Sequence, residues 1–438
     1  MHIHFIGIGG IGLSALAKFL AGQGIKISGS DIAKSEITDD LAINYGAQIT
    51  IPHHPDAVVG ADMVIYSAVI RPNNVEYKRA KELGIKLLAR KEALKFILKD
   101  SKVYGVAGAH GKSTTSAILA SILQESNALI GAISKEFGSN VRTFDNNEVV
   151  FEADESDASF LNSNPYLAIV TNVEPEHMEY YEYDESRFYQ AYRDYLELAK
   201  IRVLNGEDPF LAKQNDLESI YLYPSQDITN IEYTLVDNEP HTHFELKGLG
   251  TFELFGLGYH IALDASLAIL AAQALGLDIE RIRKNLRKYK GIKKRFDVIQ
   301  KNGMVVIDDY GHHPTEIKAT LESIKEYAKL LGIKRIYAIW QPHKYSRTID
   351  NLQGFVECFE GVDELTILPI WAAGEVKVDI DLKGAFSRYQ PIMAERVTRK
   401  DNKVYLLDEK REVIRKYKDG LVVAFGAGDI TYQIRGLK

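Results

Sequence analysis

Gly108-Ala109-His110-Gly111-Lys112-Ser113-Thr114 sets a glycine directly before a Lys-Ser pair, between an apolar run and a helical pattern. Backbone N–H groups of such a turn can cradle phosphate oxygens. The Lys112 ammonium can neutralise β/γ oxygens, and the Ser113 hydroxyl can bind Mg2+. The strict phosphate-loop pattern wants an earlier glycine where Val106 stands. The remaining features still favour a phosphate loop over a chance match. A second glycine turn, Gly7-Ile8-Gly9-Gly10-Ile11-Gly12, follows a strand-like run and opens a helical one. That context suits a pyrophosphate approached closely by backbone at a helix N-terminus, with Asp31 at the end of the next strand placed for a ribose hydroxyl. The bland alternative is a turn that merely tightens helix–strand packing. Two phosphate turns in succession suggest two phosphorylated ligands.

Four acidic and histidine clusters accompany them. Glu152-Ala153-Asp154-Glu155-Ser156-Asp157 ends an apolar run and offers hard oxygen ligands for Mg2+, although Asp157 reads better as a solvated loop residue. Thr171-Asn172-Val173-Glu174-Pro175-Glu176-His177 ends another, and its His177 is either a metal ligand or a surface residue. Further on come Asp308-Asp309-Tyr310-Gly311-His312-His313-Pro314-Thr315-Glu316 and Gln341-Pro342-His343-Lys344-Tyr345-Ser346-Arg347. The spacing is not that of a zinc protease, and no cysteines support a zinc site. His343, Lys344 and Arg347 suit a carboxylate or phosphate, or else simply begin a basic helix.

The elements that must position these groups are short β-rich runs alternating with helical stretches. Runs at Ile3–Ile8, Met63–Ser67, Val103–Ala107, Leu167–Thr171, Met304–Ile307, Ile336–Trp340 and Leu421–Phe425 read as buried strands, and Ile11–Gly22 and Thr114–Glu125 as helices. This alternation predicts an α/β protein with parallel sheets covered on both faces. The pattern restarts twice, giving three expected domains: 1–100, 101–296 and 297–438. A strand-rich interval at Tyr221–Phe255, with a turn at Asn238-Glu239-Pro240, falls inside the second. At 438 residues the chain is too long for one ordinary core. Its net charge of −7 argues against a nucleic-acid partner. Its single cysteine, Cys358, fits a reducing cytosol, and no apolar run is long enough to span a bilayer. A cytoplasmic protein without membrane insertion is expected.

The ordered set GIGGIGLSALA, GAHGKSTT, EADESDASFL, TNVEPEHM, DDYGHHPTEI, QPHKYSRT, ILPIWAAGE and GAGDI resembles the Mur ligases of peptidoglycan synthesis, across essentially the whole chain. The resemblance implies an N-terminal Rossmann-like UDP-binding domain, a central P-loop ATPase domain and a C-terminal Rossmann-like α/β domain. It implies that ATP phosphorylates the lactyl carboxylate of UDP-N-acetylmuramate and that L-alanine then attacks the acyl phosphate. Mg2+, with Mn2+ as a substitute, would be bound by Ser113, Glu152 and His177. ATP would meet Gly108, Ala109, His110, Gly111, Lys112, Ser113, Thr114, His260, Asp264, Arg295 and Asp309. The UDP-sugar would meet Gly9, Gly10, Ile11, Gly12, Asp31, His54 and Ser67. Tyr310, His312, His343, Lys344 and Arg347 would take the amino acid. Lys112, Glu152, His177, His312, His343 and Arg347 would carry the chemistry, in a monomer or homodimer.

This sequence has Ala109, Ser113, Ile261, Asp264, Lys344 and Trp371 where the family usually has threonine, threonine, asparagine, asparagine, arginine and tyrosine. An NAD-dependent oxidoreductase would use only the first glycine turn. A nucleotide-switch protein would leave the third unit unused, and a muropeptide-recycling ligase of the same family usually lacks this first turn and the Tyr-Gly-His-His sequence.

Overall fold

The computed structural model describes residues 1–176 and 178–437. Two compact units emerge from the contacts. One comprises 1–229, 245–252 and 263–290, and the other 230–244, 253–262 and 291–438.

The first unit holds two sheets. In the first, β1 (His2–Ile6), β2 (Lys26–Ser30), β3 (Gln48–Thr50), β4 (Met63–Tyr66) and β5 (Lys86–Ala89) are ordered β3-β2-β1-β4-β5. All pairings are parallel. This is the Rossmann order, and its crevice opens where β1 and β4 send the chain in opposite directions. Helix Ile11–Gly22 buries Leu13, Leu16, Phe19 and Leu20 on the sheet, which is why its apolar residues recur at helical spacing.

The second sheet contains β6 (Lys102–Ala107), β7 (Asn127–Leu129), β8 (Val141–Arg142), β9 (Glu148–Glu152), β10 (Pro165–Val170), β11 (Ile201–Asn205) and β12 (Ile220–Leu222), ordered β12-β11-β10-β6-β9-β7-β8. Only β7–β8 is antiparallel. Central β6 therefore has β9 on one side and β10 on the other. The chain after each of the three emerges at the same sheet end.

Three further strands, β13 (Ile228–Val236), β14 (Glu239–Leu246) and β15 (Gly250–Phe255), follow in hydrogen-bonded order. The turn falls one residue earlier than expected. Asp237 and Asn238 take φ of 52° and 61°, the left-handed pair a tight hairpin needs, while Glu239 and Pro240 already belong to β14.

The second unit carries β16 (Asp297–Gln300), β17 (Val305–Asp309), β18 (Ile336–Trp340), β19 (Glu364–Ile367), β20 (Ile392–Met393) and, after an antiparallel meander β21 (Arg396–Lys400), β22 (Lys403–Leu407), β23 (Val413–Tyr417), a final strand β24 (Leu421–Phe425). The order β16-β17-β24-β18-β19-β20 is parallel apart from β16. Strands β17, β18 and β24 are buried at every position, as expected for strands covered on both faces. Among the described residues, no helix is long and apolar enough to cross a membrane.

Candidate active site

The phosphate loop is built by three adjacent strand ends. Register pairs Ala107 with Val170 and Val106 with Glu152, so Gly108–Lys112 lies between Thr171-Asn172 and the acidic segment. Asn172 holds the loop from both sides. Its Oδ1 accepts from His110 N–H at 2.9 Å, its Nδ2 donates to His110 O at 3.0 Å, and its own carbonyl accepts from Ala109 N–H at 3.2 Å. The Thr171 hydroxyl donates to His110 O at 2.5 Å. Gly108 and Gly111 have φ of 135° and 83°. A Cβ on Gly111 would come within 2.5 Å of Asp264 Oδ1, so both conformation and space require glycine there. Helix Lys112–Ile122 starts at once, with its N-terminus turned to the loop.

Lys112 Nζ donates to Ala109 O at 3.1 Å and pairs with Glu155 Oε1 at 3.0 Å. Burial disfavours the Lys112 charge, but the carboxylates of Glu155 and Glu152 outweigh it and raise its pKa. Burial pushes Glu155 up to about 7, against the opposing pull of Lys112. Ser113 Oγ donates to Glu152 Oε1 at 2.9 Å, and Glu152 Oε2 accepts from Gly131 N–H at 2.6 Å. Burial raises the Glu152 pKa despite these bonds. Asp154 is the opposite case: burial would raise it, but Arg90 and the Ser156 bonds hold it below the usual range. Asp157 accepts from Ser159 N–H at 3.0 Å, a turn-capping role that agrees with its bland reading. His177 lies outside the described residues.

In the first sheet, Asp31 closes the glycine turn. Its Oδ2 accepts from Gly9 N–H at 2.8 Å, and Gly7 and Ile8 donate to Ser30 O at 2.9 and 3.0 Å. Gly10 caps helix Ile11–Gly22 without a side chain. A Cβ on Gly12 would stand 3.3 Å from Arg90 Nε, and Arg90 also reaches Asp154 at 3.5 Å. Arg90 thus joins the glycine turn to the acidic segment of the next sheet. Ser67 N–H donates to Ile6 O at 3.0 Å just across the crevice, and the His54 side chain stands 61% exposed on its loop.

In the second unit, β17 and β18 flank β24, so their following segments meet over its end. The rings of His312 and His343 are 6.0 Å apart, and Tyr310 lies edge-on to His312 at 5.3 Å. Arg347 Nη1 donates to His343 Nδ1 at 3.2 Å. Burial pushes both histidines down to about 4, opposed by Glu316 at His312 and reinforced by His312 and Arg347 at His343. Lys344 sits at φ 69°, its N–H bonded to Trp371 O at 2.8 Å. Glu375 then accepts from Tyr345 and Ser346 N–H and the Ser346 hydroxyl. Arg295 bonds Glu316 at 2.9 Å and stacks 5.7 Å from the Tyr310 ring. The Asp309 carboxylate is buried, accepting from Phe296 N–H at 2.7 Å, Gly311 N–H at 2.8 Å and Thr320 Oγ1 at 3.3 Å; burial raises it to about 6. Its visible work is to hold the Arg295 segment. Burial, with the Arg295 charge, likewise lowers His260 to about 4.

Sequence reasoning missed Asn172 and Arg90. Asn172 carried a signal, a polar residue at a strand end beside the loop strand. Arg90 carried none, since its partners lie far away in sequence.

A phosphate loop, a Rossmann turn and a third α/β sheet on one chain define a modular α/β protein with two phosphate-type turns. The chain belongs to the Mur ligase family. The family's catalytic domain matches residues 2–102, its middle domain 106–272 and its glutamate ligase domain 294–428. Among curated relatives, the UDP-N-acetylmuramate--L-alanine ligase of Campylobacter curvus is 55% identical over 435 residues, covering 99% of both chains. That of Helicobacter pylori is 54% identical over 436 residues, covering 99% of this chain and 96% of the relative. The crystal structure of the UDP-N-acetylmuramate-alanine ligase of Thermotoga maritima superposes with a TM-score of 0.82 at 25% identity, covering 100% of this chain and 98% of that one.

Proposed function

We propose that the protein joins L-alanine to the lactyl carboxylate of UDP-N-acetylmuramate at the expense of ATP, in the cytoplasm. The identity of 55% along 99% of the chain to relatives bearing that name carries this reading. In the proposed arrangement, residues 1–100 bind the UDP-sugar, 101–296 bind ATP and 297–438 bind the amino acid.

A carboxylate is a poor electrophile, so one of its oxygens first attacks the γ-phosphorus and ADP departs. The alanine amine then attacks the acyl carbon, loses a proton, and phosphate leaves. Both steps concentrate negative charge, and Lys112 supplies a fixed cation beside it. Ser113 Oγ and Glu152 Oε1, 2.9 Å apart, are a hard-oxygen pair suited to Mg2+, and His177 completes the proposed set. When bound, the ion would neutralise phosphate charge. Arg347 holds the alanine carboxylate and Lys344 adds charge. Neutral His312, whose Nδ1 donates to Tyr310 O, accepts a hydrogen bond from the amine at Nε2 without repelling it, while His343, whose Nδ1 accepts from Arg347, orients that guanidinium. The test is phosphate release with ATP and Mg2+ across UDP-sugars and amino acids. Turnover requiring both UDP-N-acetylmuramate and L-alanine supports the reading, whereas release without either co-substrate, or with nicotinamide oxidation, overturns it.

A further inference from the structure

Beside the first sheet lies a buried carboxylate with no part in the chemistry above. Glu76, at the start of helix Val75–Glu82, is fully buried. A lone buried carboxylate is costly, so its partners reveal what it is for. Its Oε1 accepts from His54 N–H at 2.9 Å and lies 3.6 Å from His53 Nδ1. Its Oε2 accepts from the Ser30 hydroxyl at 2.5 Å and lies 3.1 Å from His4 Nε2. The network continues outward: Ser30 Oγ also meets His53 Nδ1 at 2.8 Å, and His4 Nδ1 meets Ser28 Oγ at 2.8 Å. Burial alone would raise the Glu76 pKa, but the bonds from His4, Ser30 and the His54 backbone hold it below the usual range. Asn74 caps the helix by accepting from Glu76 and Tyr77 N–H, fixing the backbone that carries the carboxylate.

One side chain therefore ties β1 through His4, the end of β2 through Ser30, and the 51–54 loop through His53 and His54. Ser30 immediately precedes Asp31, which closes the glycine turn, and its carbonyl accepts from Gly7 and Ile8. Two of these three elements, the end of β2 and the 51–54 loop, carry residues assigned to the UDP-sugar, Asp31 and His54. We infer that Glu76 is a positioning residue for the UDP-sugar site, setting the 53–54 loop and the Ser30-Asp31 strand end in register with the glycine turn. The inference rests on the assignment of the first sheet to the UDP-sugar.

The test is Glu76→Gln in the full chain, which keeps the shape and an acceptor for His54 N–H but loses the charge. Calorimetric titration with UDP alone should show about a tenfold weaker Kd, as expected for weakening charge-assisted hydrogen bonds. The KM for UDP-N-acetylmuramate should rise in parallel, while kcat at saturation and the ATP KM stay within about twofold. Ser30→Ala, which removes the hydroxyl's contacts with both Glu76 and His53, should show about a threefold weaker UDP Kd with only a modest fall in melting midpoint, and serves as the test if Glu76→Gln does not fold. An unchanged UDP Kd in folded Glu76→Gln or Ser30→Ala overturns the inference alone. A fall in kcat with a rise in both KM values reduces Glu76 to a structural role and also overturns it. If the wild-type enzyme turns over but UDP does not bind it, the domain assignment itself has failed and takes the inference with it.

Discussion

Lys112 Nζ stands 3.0 Å from Glu155 Oε1, and the Glu155 side chain is only 3% exposed. The amine proposed to neutralise phosphate is thus held by a buried carboxylate of the same sheet end. Reaching a γ-phosphate means exchanging one anion for another, so the ammonium is never left bare in a poorly solvated site.

Removing Lys112 then has two separable effects. Lys112→Ala should abolish acyl-phosphate formation, costing about 3–4 kcal/mol in the transition state, a few hundredfold or more. It should also leave Glu155 buried without its cation and lower stability until that carboxyl takes a proton. Adding Glu155→Gln should recover melting temperature without recovering turnover, and UDP affinity should stay near normal in both variants. Near-normal hydroxamate yield from Lys112→Ala would contradict the phosphate-loop assignment.

Glu152 and Ser113 are proposed as oxygen ligands of one ion. Glu152→Ala and Ser113→Ala should each raise the Mg2+ concentration needed for half-maximal rate, by about tenfold for the charged ligand and less for the hydroxyl. His177→Ala should act in the same direction. Mg2+ titrations of initial rate decide it, and a double Glu152/His177 variant with a wild-type titration curve would return His177 to an ordinary surface role.

Much of this was readable because parallel strands are covered on both faces and appear as unbroken apolar runs. Ile336–Trp340, Leu421–Phe425 and helix Ile11–Gly22 fall where the pattern puts them. The helix after the phosphate loop runs Lys112–Ile122, earlier than its apolar pattern suggests, because left-handed Gly111 starts it. Pro240 drew the hairpin turn too late, although Asp237-Asn238 was the better left-handed pair. Glu76 and Arg90 were unreadable for a different reason. A charged residue on a helix looks solvated in sequence, and only the tertiary arrangement shows His4 and Ser30, or Gly12 and Asp154, around it.

The amino-acid end should respond to pH through stability as well as rate. His312 has its folded pKa near 4, against 6.5 for the ordinary imidazole, chiefly because it is buried. Between those values the unfolded chain binds more protons, so the folded state loses ground as pH falls from 6.5 towards 4. Above 6.5 the full stability is present. The loss is on the order of 3 kcal/mol for this one group. Urea unfolding of the intact chain at several pH values should show a shallower acid dependence in His312→Asn. His343 and His260 shift in the same direction, so part of the slope should remain. An unaltered slope would remove His312 from the account.

The last prediction separates the two cations that begin the helix Tyr345–Asp350. L-Alanine offers one methyl group and a zwitterionic backbone, so its carboxylate is the main handle for charged recognition. Arg347 is already oriented by its bond to His343 Nδ1, and its planar fork can grip a carboxylate with two parallel hydrogen bonds. Lys344 sits before the helix in a left-handed conformation and offers a compact point charge with looser geometry. Arg347→Lys should therefore raise the L-alanine KM and lower kcat, together by about a hundredfold in kcat/KM, because a misplaced amine wastes the acyl phosphate. Lys344→Arg keeps the charge, so it should leave kcat/KM within about threefold. Hydroxylamine has no carboxylate to orient and should trap the acyl phosphate equally well in both variants. Hydroxamate yield therefore reports activation, while L-alanine kinetics report positioning. An Arg347→Lys enzyme with unchanged L-alanine kinetics would sink the assignment, and one that lost hydroxamate formation as well would move Arg347 from the amino acid to the activation step.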